Sequence, residues 1–171
     1  MSRVVNGLGA GLSNEWGTPK FVFDALGVRF DLDVCAPVDG PLHTPCAAWF
    51  SDSALERDWS GFVWMNPPFG GRNGMDPWLE KFFLHGNGVA LTPDRTSSAW
   101  FHFAYEKCDA LLLTKGRTNF LRHDGTPAGS PAFGTALWAV GSRAVLALKA
   151  ASDNGLGILI LKSGAMMEAR K

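Results

Sequence analysis

Asn66-Pro67-Pro68-Phe69 is the string in this 171-residue chain whose residue types and order suit chemistry on a conjugated amine. The amino group of a base is a poor nucleophile, because its nitrogen lone pair is shared with the ring. Two fixed acceptors change that. The Asn66 side-chain oxygen and the Pro67 carbonyl can each take one N–H, drawing the nitrogen toward tetrahedral geometry and freeing the lone pair. The prolines fix φ, so both acceptors are organised before a substrate arrives. Phe69 offers a ring face on which a base swung out of a duplex can stack. In-line placement against an electrophilic methyl donor then carries the reaction, and no strong general base is required. The plainer reading of the same string is a rigid strand-ending turn with Phe69 in the core. The chemistry alone does not choose the acceptor, since a protein glutamine and an RNA base also present a conjugated NH2.

The flanking residues predict the elements that must hold this motif. Phe62-Val63-Trp64-Met65 is a short apolar run between Gly61 and the motif, as expected of a buried strand that ends at Asn66. Upstream, Thr18-Pro19 followed by Phe21, Val22, Ala25, Leu26 and Gly27 predicts a helix with Thr18 as its cap, Pro19 in its first turn and Gly27 as its stop. A strand is expected over Arg29–Cys35, then a long loop from Ala36 to Trp49, where Pro37, Gly40, Pro41 and Pro45 forbid regular structure. Long loops inside compact domains are often functional. Downstream, helices over Asp76–His85, Ser97–Lys107 and Ser142–Ala151 alternate with strands over Gly88–Thr92, Ala110–Thr114, Thr135–Val140 and Leu156–Leu161. That alternation predicts an α/β protein with a doubly wound, mostly parallel sheet, because parallel strands need crossovers. Ligands in such sheets bind beyond the carboxyl ends of strands, where the loops after Cys35 and Met65 would open. Residues 14–163 read as one domain, with 1–13 and 164–171 as ragged ends.

Composition narrows the class. With 46% hydrophobic and 19% charged residues the chain is too apolar for a disordered tail. No apolar run approaches the roughly 18 residues of a membrane span, and the first residues lack the pattern of a signal peptide, so a cytoplasmic protein without membrane contact is expected. Three cysteines, Cys35, Cys46 and Cys108, read as free thiols in a reducing compartment. The spacing of Cys35, His43 and Cys46 matches no usual pair-of-pairs metal knuckle, and no metal is expected. The net charge is zero, which excludes a uniformly basic coat. The charge is uneven, however: residues 1–85 carry 6 basic and 10 acidic side chains, and residues 86–171 carry 10 basic and 6 acidic. Lys115, Arg117, Arg122, Arg143 and Lys149 face only Asp124 over their stretch, a basic cluster able to meet phosphate.

Further strings follow in order: Glu15-Trp16-Gly17-Thr18-Pro19, Asp31-Leu32-Asp33-Val34-Cys35-Ala36, Asp58-Trp59 and Trp64-Met65 before the motif. After it come Pro77-Trp78-Leu79-Glu80-Lys81, Leu91-Thr92-Pro93-Asp94-Arg95-Thr96 with Trp100-Phe101, Lys115-Gly116-Arg117 with Phe120, and Ser130-Pro131-Ala132-Phe133. Together they resemble the phage-type DNA adenine-N6 methyltransferase (Dam) family over about Glu15 to Val140. The resemblance implies a Rossmann-like, single-domain methyltransferase encoded by a phage or prophage. It implies S-adenosylmethionine as methyl donor and double-stranded DNA as partner, with the N6 amine of a flipped adenine as acceptor.

Carried onto this chain, the resemblance makes Asn66, Pro67, Pro68 and Phe69 the catalytic motif. Asp33 is placed to receive the donor's amino group. Thr18 and Pro19 are placed where a hydroxyl and a helix amino terminus can meet its carboxylate. Asp52 is a candidate for its ribose hydroxyls or adenine. Cys35-Ala36-Pro37 stands where most such enzymes have a glycine-rich turn, with Gly40 the first glycine, so Cys35 joins the cofactor candidates. Phe69 replaces a commoner tyrosine, which stacking tolerates because it needs only a ring face. Arg95, Lys115 and Arg117 follow predicted strands and are candidates for DNA phosphate. The loops over 70–76 and 121–131 can enter a groove, and sequence reading falls to them or to a second subunit, in a monomer or homodimer. Trp16, Trp49, Trp59 and Trp64 read as core or pocket wall. A methyltransferase acting on RNA or protein glutamine, or an inactive DNA-binding module of the same fold, remains the alternative.

Overall fold

The computed structural model describes residues 16–69, 74–122, 124–129 and 131–162. The predicted ragged ends and parts of the two predicted groove loops lie outside them. The chain runs α1 (Lys20–Leu26), β1 (Phe30–Asp33), β2 (Cys46–Trp49), β3 (Val63–Met65), α2 (Asp76–His85), β4 (Gly88–Pro93), α3 (Ala99–Lys107), β5 (Ala110–Thr114), β6 (Thr135–Val140), α4 (Ser142–Asp153) and β7 (Gly157–Leu161). All seven strands form one sheet in the order β2-β1-β3-β4-β6-β5-β7. Val22, Phe23 and Leu26 of α1 and Ala144, Ala147 and Leu148 of α4 pack on one face. Leu79 and Phe82 of α2 and Phe101 and Ala104 of α3 pack on the other. β3 and β4 are buried along their whole lengths, as strands covered on both faces must be.

The sheet is mixed: β1 to β5 point one way, as expected of a mostly parallel sheet, and β6 and β7 are reversed. β2, β1, β3 and β4 are mutually parallel. β6 lies antiparallel between β4 and β5, and β7 runs antiparallel to β5. The cause is the 115–134 connection, which carries no helix and returns to the edge it left, so β6 must run back beside β5. A correction falls in the predicted loop over 36–49. The prolines exclude regular structure only up to Pro45, after which Cys46–Trp49 forms an edge strand paired to β1 alone. Trp49 is half exposed there and is neither core nor pocket wall. Thr18 is not a helix cap: Pro19 occupies the capping position in an extended conformation, and no side chain caps α1.

This topology fixes where a ligand can sit. From β1 the chain crosses over residues 34–45 to β2 on one side, whereas β3 lies on the other side of β1. The carboxyl ends of β1 and β3 therefore flank the point where connections diverge, the usual ligand crevice of an open α/β sheet. Asp33 ends β1, and Asn66 directly follows β3.

Candidate active site

Asn66 begins where β3 must stop, because Pro67 and Pro68 have no N–H to continue a ladder. Its Nδ2 donates to the Trp16 carbonyl at 2.8 Å and to the Thr18 hydroxyl at 3.2 Å. A carbonyl can only accept, so Trp16 fixes which end of the amide is nitrogen. Oδ1 is buried and is the one buried side-chain polar atom without a partner among the described residues. Such an atom costs about 1–3 kcal/mol and calls for a reason. The segment holding Asn66 is itself held: Gly17 and Leu121 exchange two backbone hydrogen bonds, each 2.9 Å, in an antiparallel bridge. A Cβ at position 17 would meet the tip of the Leu42 side chain at 2.6 Å but Leu121 only at ordinary contact distance, so the bridge itself does not require glycine.

Beside Asn66 opens a cavity of about 450 Å³, walled by Trp16, Cys35, Asp52, Asn66, Pro68 and Trp78 among others. That volume is within the usual range for small-molecule sites. Cys35, Asp52, Asn66 and Pro68 thus reach the cavity among the predicted site residues. Thr18 and Asp33 instead line an adjoining recess of about 10 Å³, which shares Trp16, Cys35 and Asn66 as walls. Pro19, Pro67 and Phe69 line neither. Asp52 Oδ1 accepts from Arg57 at 2.6 Å, and the Arg57 guanidinium lies 5.0 Å above the Phe50 ring. Next to it, Ser53 has a positive φ of 49°, the sparsely populated conformation that turns this loop along the cavity.

The electrostatics follow from burial. Asp33 is 3% exposed, and its carboxyl is pushed up from 3.8 to about 6 by desolvation. Hydrogen bonds from the Thr44 side chain and from the Cys35 N–H, the latter at 3.0 Å, act against that shift. The Cys35 thiol is pushed well up by burial and by the neighbouring Asp33 charge. It therefore stands in the wall as a protonated, compact apolar group and not as a nucleophile.

Phe69 is half-buried and meets Phe120 and Phe133 edge to face, with centroids 5.8 and 6.0 Å apart. Phe120 in turn lies 6.4 Å from the Trp16 ring. Arg95 is exposed beyond the carboxyl end of β4, its guanidinium 5.6 Å over Phe133. Lys115 and Arg117 are exposed beyond β5. Thr114, Thr135 and Thr118 hold this edge together through hydroxyl contacts of 2.8 Å. The three basic candidates therefore share the sheet edge of Asn66. Arg143 does not join them: it donates to the Arg29 carbonyl at 2.7 Å, at the opposite edge, and Lys149 pairs with Asp153. Among the described residues no cluster of three potential metal ligands occurs. Cys108 follows α3 at that opposite edge, with its thiol on the Tyr105 carbonyl, and all three cysteines are free.

Trp16, read from sequence as core or pocket wall, lines the cavity. Trp78, Phe120 and Phe133 stood in family-like strings without a role. The part Trp16 plays through its carbonyl has no side-chain signature at all.

A mixed α/β sheet with a cavity at its switch point is compatible with a methyltransferase. Over residues 9–139 the chain matches the model of the DNA N-6-adenine-methyltransferase (Dam) family, and it belongs to that family. No curated protein and no solved structure matches it.

Proposed function

We propose that this protein transfers a methyl group from S-adenosylmethionine to the exocyclic N6 amine of adenine in double-stranded DNA, on a Rossmann-like scaffold and with the target base turned out of the duplex. The observation that carries this reading is the buried, unpartnered Oδ1 of Asn66, a residue that lines a cavity of about 450 Å³. An acceptor held by its own amide and left without a donor is matched by a substrate that brings an N–H. The Pro67 carbonyl takes the second N–H of the same amine. Phe69, braced by Phe120 and Phe133, gives the base a ring to pack against.

The cavity fits the donor in kind: Trp16 and Trp78 suit an adenine ring, and Ser51, Asp52 and Ser53 suit hydroxyl groups. S-adenosylmethionine supplies an electrophilic methyl group on a sulfonium sulfur. Asp52, on the exposed loop, accepts from ribose hydroxyls, and Asp33, whose recess has room for a group the size of one water, holds the donor's amino group as its counter-charge. Arg95, Lys115 and Arg117 bind phosphate of the duplex, which positions it without reading sequence.

The direct test is transfer of radiolabelled methyl from S-adenosylmethionine to unmethylated duplex DNA, followed by nuclease digestion. N6-methyladenine is the expected product, and Asn66→Ala should lower the rate about 10²-fold or more while donor binding persists. Label found in RNA or protein extract and not in DNA, or full activity of Asn66→Ala, would overturn the reading.

A further inference from the structure

Thr18 is 5% exposed, and its hydroxyl accepts from Asn66 Nδ2 at 3.2 Å. It does not line the large cavity, and the recess that it does line measures about 10 Å³, room for little more than one water. A ligand carboxylate needs more space than that. The partner the hydroxyl does have is the amide of Asn66.

We propose that Thr18 is a positioning residue for methyl transfer: its hydroxyl and the Trp16 carbonyl together clamp both N–H groups of the Asn66 amide, so that Oδ1 alone is presented to the substrate amine. This rests on the reading of Asn66 as the acceptor of that amine. The terminal torsion of asparagine is broad and roughly two-fold, so nothing in the residue itself chooses between oxygen and nitrogen. A half-turn would set Nδ2, a donor, against an amine that also donates. Trp16 contributes a main-chain group that no substitution removes, which leaves Thr18 as the member of the clamp open to mutation. Losing it frees one N–H of the amide and costs orientation at the reacting nitrogen, not contact with the donor.

The test compares Thr18→Val, which keeps the shape without the hydroxyl, with Thr18→Ser, which keeps the hydroxyl. For each, the single-turnover methylation rate on unmethylated duplex at saturating donor is measured beside the donor Kd by calorimetry. Thr18→Val is expected to slow transfer about tenfold and to leave donor Kd within about twofold, with Thr18→Ser restoring most of the rate. In an Asn66→Ala background Thr18→Val should have no further effect, because it acts through that side chain. An unchanged rate in Thr18→Val would overturn the proposal. So would a donor Kd weakened about tenfold at unchanged saturated rate, the mark of a carboxylate contact, or the same tenfold slowing on top of Asn66→Ala. Thermal unfolding checks each variant, and Thr18→Ala takes the place of Thr18→Val if the latter does not fold. A wild type that methylates no DNA removes the underlying reading, and this is seen before any variant is compared.

Discussion

Two polar side chains lining one recess are treated differently by the fold. Asn66 has its nitrogen hydrogen-bonded twice and its buried oxygen left without a partner, while Asp33 has its carboxyl wrapped by Cys35 and Thr44 and stripped of water. The second arrangement has a pH signature. Asp33 keeps its proton up to about 6 in the folded protein against 3.8 for the free side chain. Across that window the folded state binds more protons than the unfolded state, so stability falls as pH rises. The contribution is fully present below about 3.8 and lost above about 6. Denaturant unfolding of wild type and Asp33→Asn should show the variant gaining relative stability over this window, and a pH-independent difference would contradict the assignment. Under the proposed function, donor affinity should weaken below about pH 6 in wild type and lose that slope in Asp33→Asn.

The elements were read from sequence with uneven success, for physical reasons. α2, β5 and β6 begin and end at the residues expected, because Asp-Pro, Gly and long apolar runs punctuate them. β2 was missed: its sole partner is β1 and most of its surface is exposed, so Cys46–Trp49 carries no buried pattern. The reversal of β6 was legible in the absence of any helix between residues 114 and 135, but alternation elsewhere masked it. The Asn66-Pro67-Pro68-Phe69 string announced itself through its own residue types, whereas the Trp16 carbonyl contact and the packing of Phe120 and Phe133 exist only once distant segments meet. The junction of β3 with β4 is tight as well. A Cβ on Gly88 would lie 2.5 Å from the Val63 carbonyl oxygen, backbone that cannot swing aside. Gly88→Ala should therefore destabilise by about 1–3 kcal/mol, as overpacking does, and lower Tm by several degrees. A melting temperature equal to wild type would show that the two strands can part without cost.

At the scale of the molecule, the candidate acids and the candidate cations lie apart along one edge of the sheet. Asp33 and Asp52 lie at the β1 and β2 end, and Arg95, Lys115 and Arg117 at the β4 and β5 end, with Asn66 between them. Under the proposed function, a cationic donor and a polyanionic substrate approach the same side chain from opposite sides. Lys115→Ala should weaken DNA binding about equally across sequences and reduce the slope of log K against log salt by about 1. An unchanged salt slope would remove Lys115 from the interface.

The bridge between Gly17 and Leu121 joins segments from opposite ends of the matched region. The cavity walls come from residues 16–78, all in the first half of the chain. The brace behind the segment that orients Asn66 comes from beyond β5 and closes only when a much later stretch has arrived. Contacts so distant along a chain are late and slow to form, since the intervening loop must be closed first. Under the proposed function, the donor's chamber, Trp16 aside, is therefore expected to take shape before the group that uses it is braced, so that donor binding comes ahead of catalysis as each molecule folds.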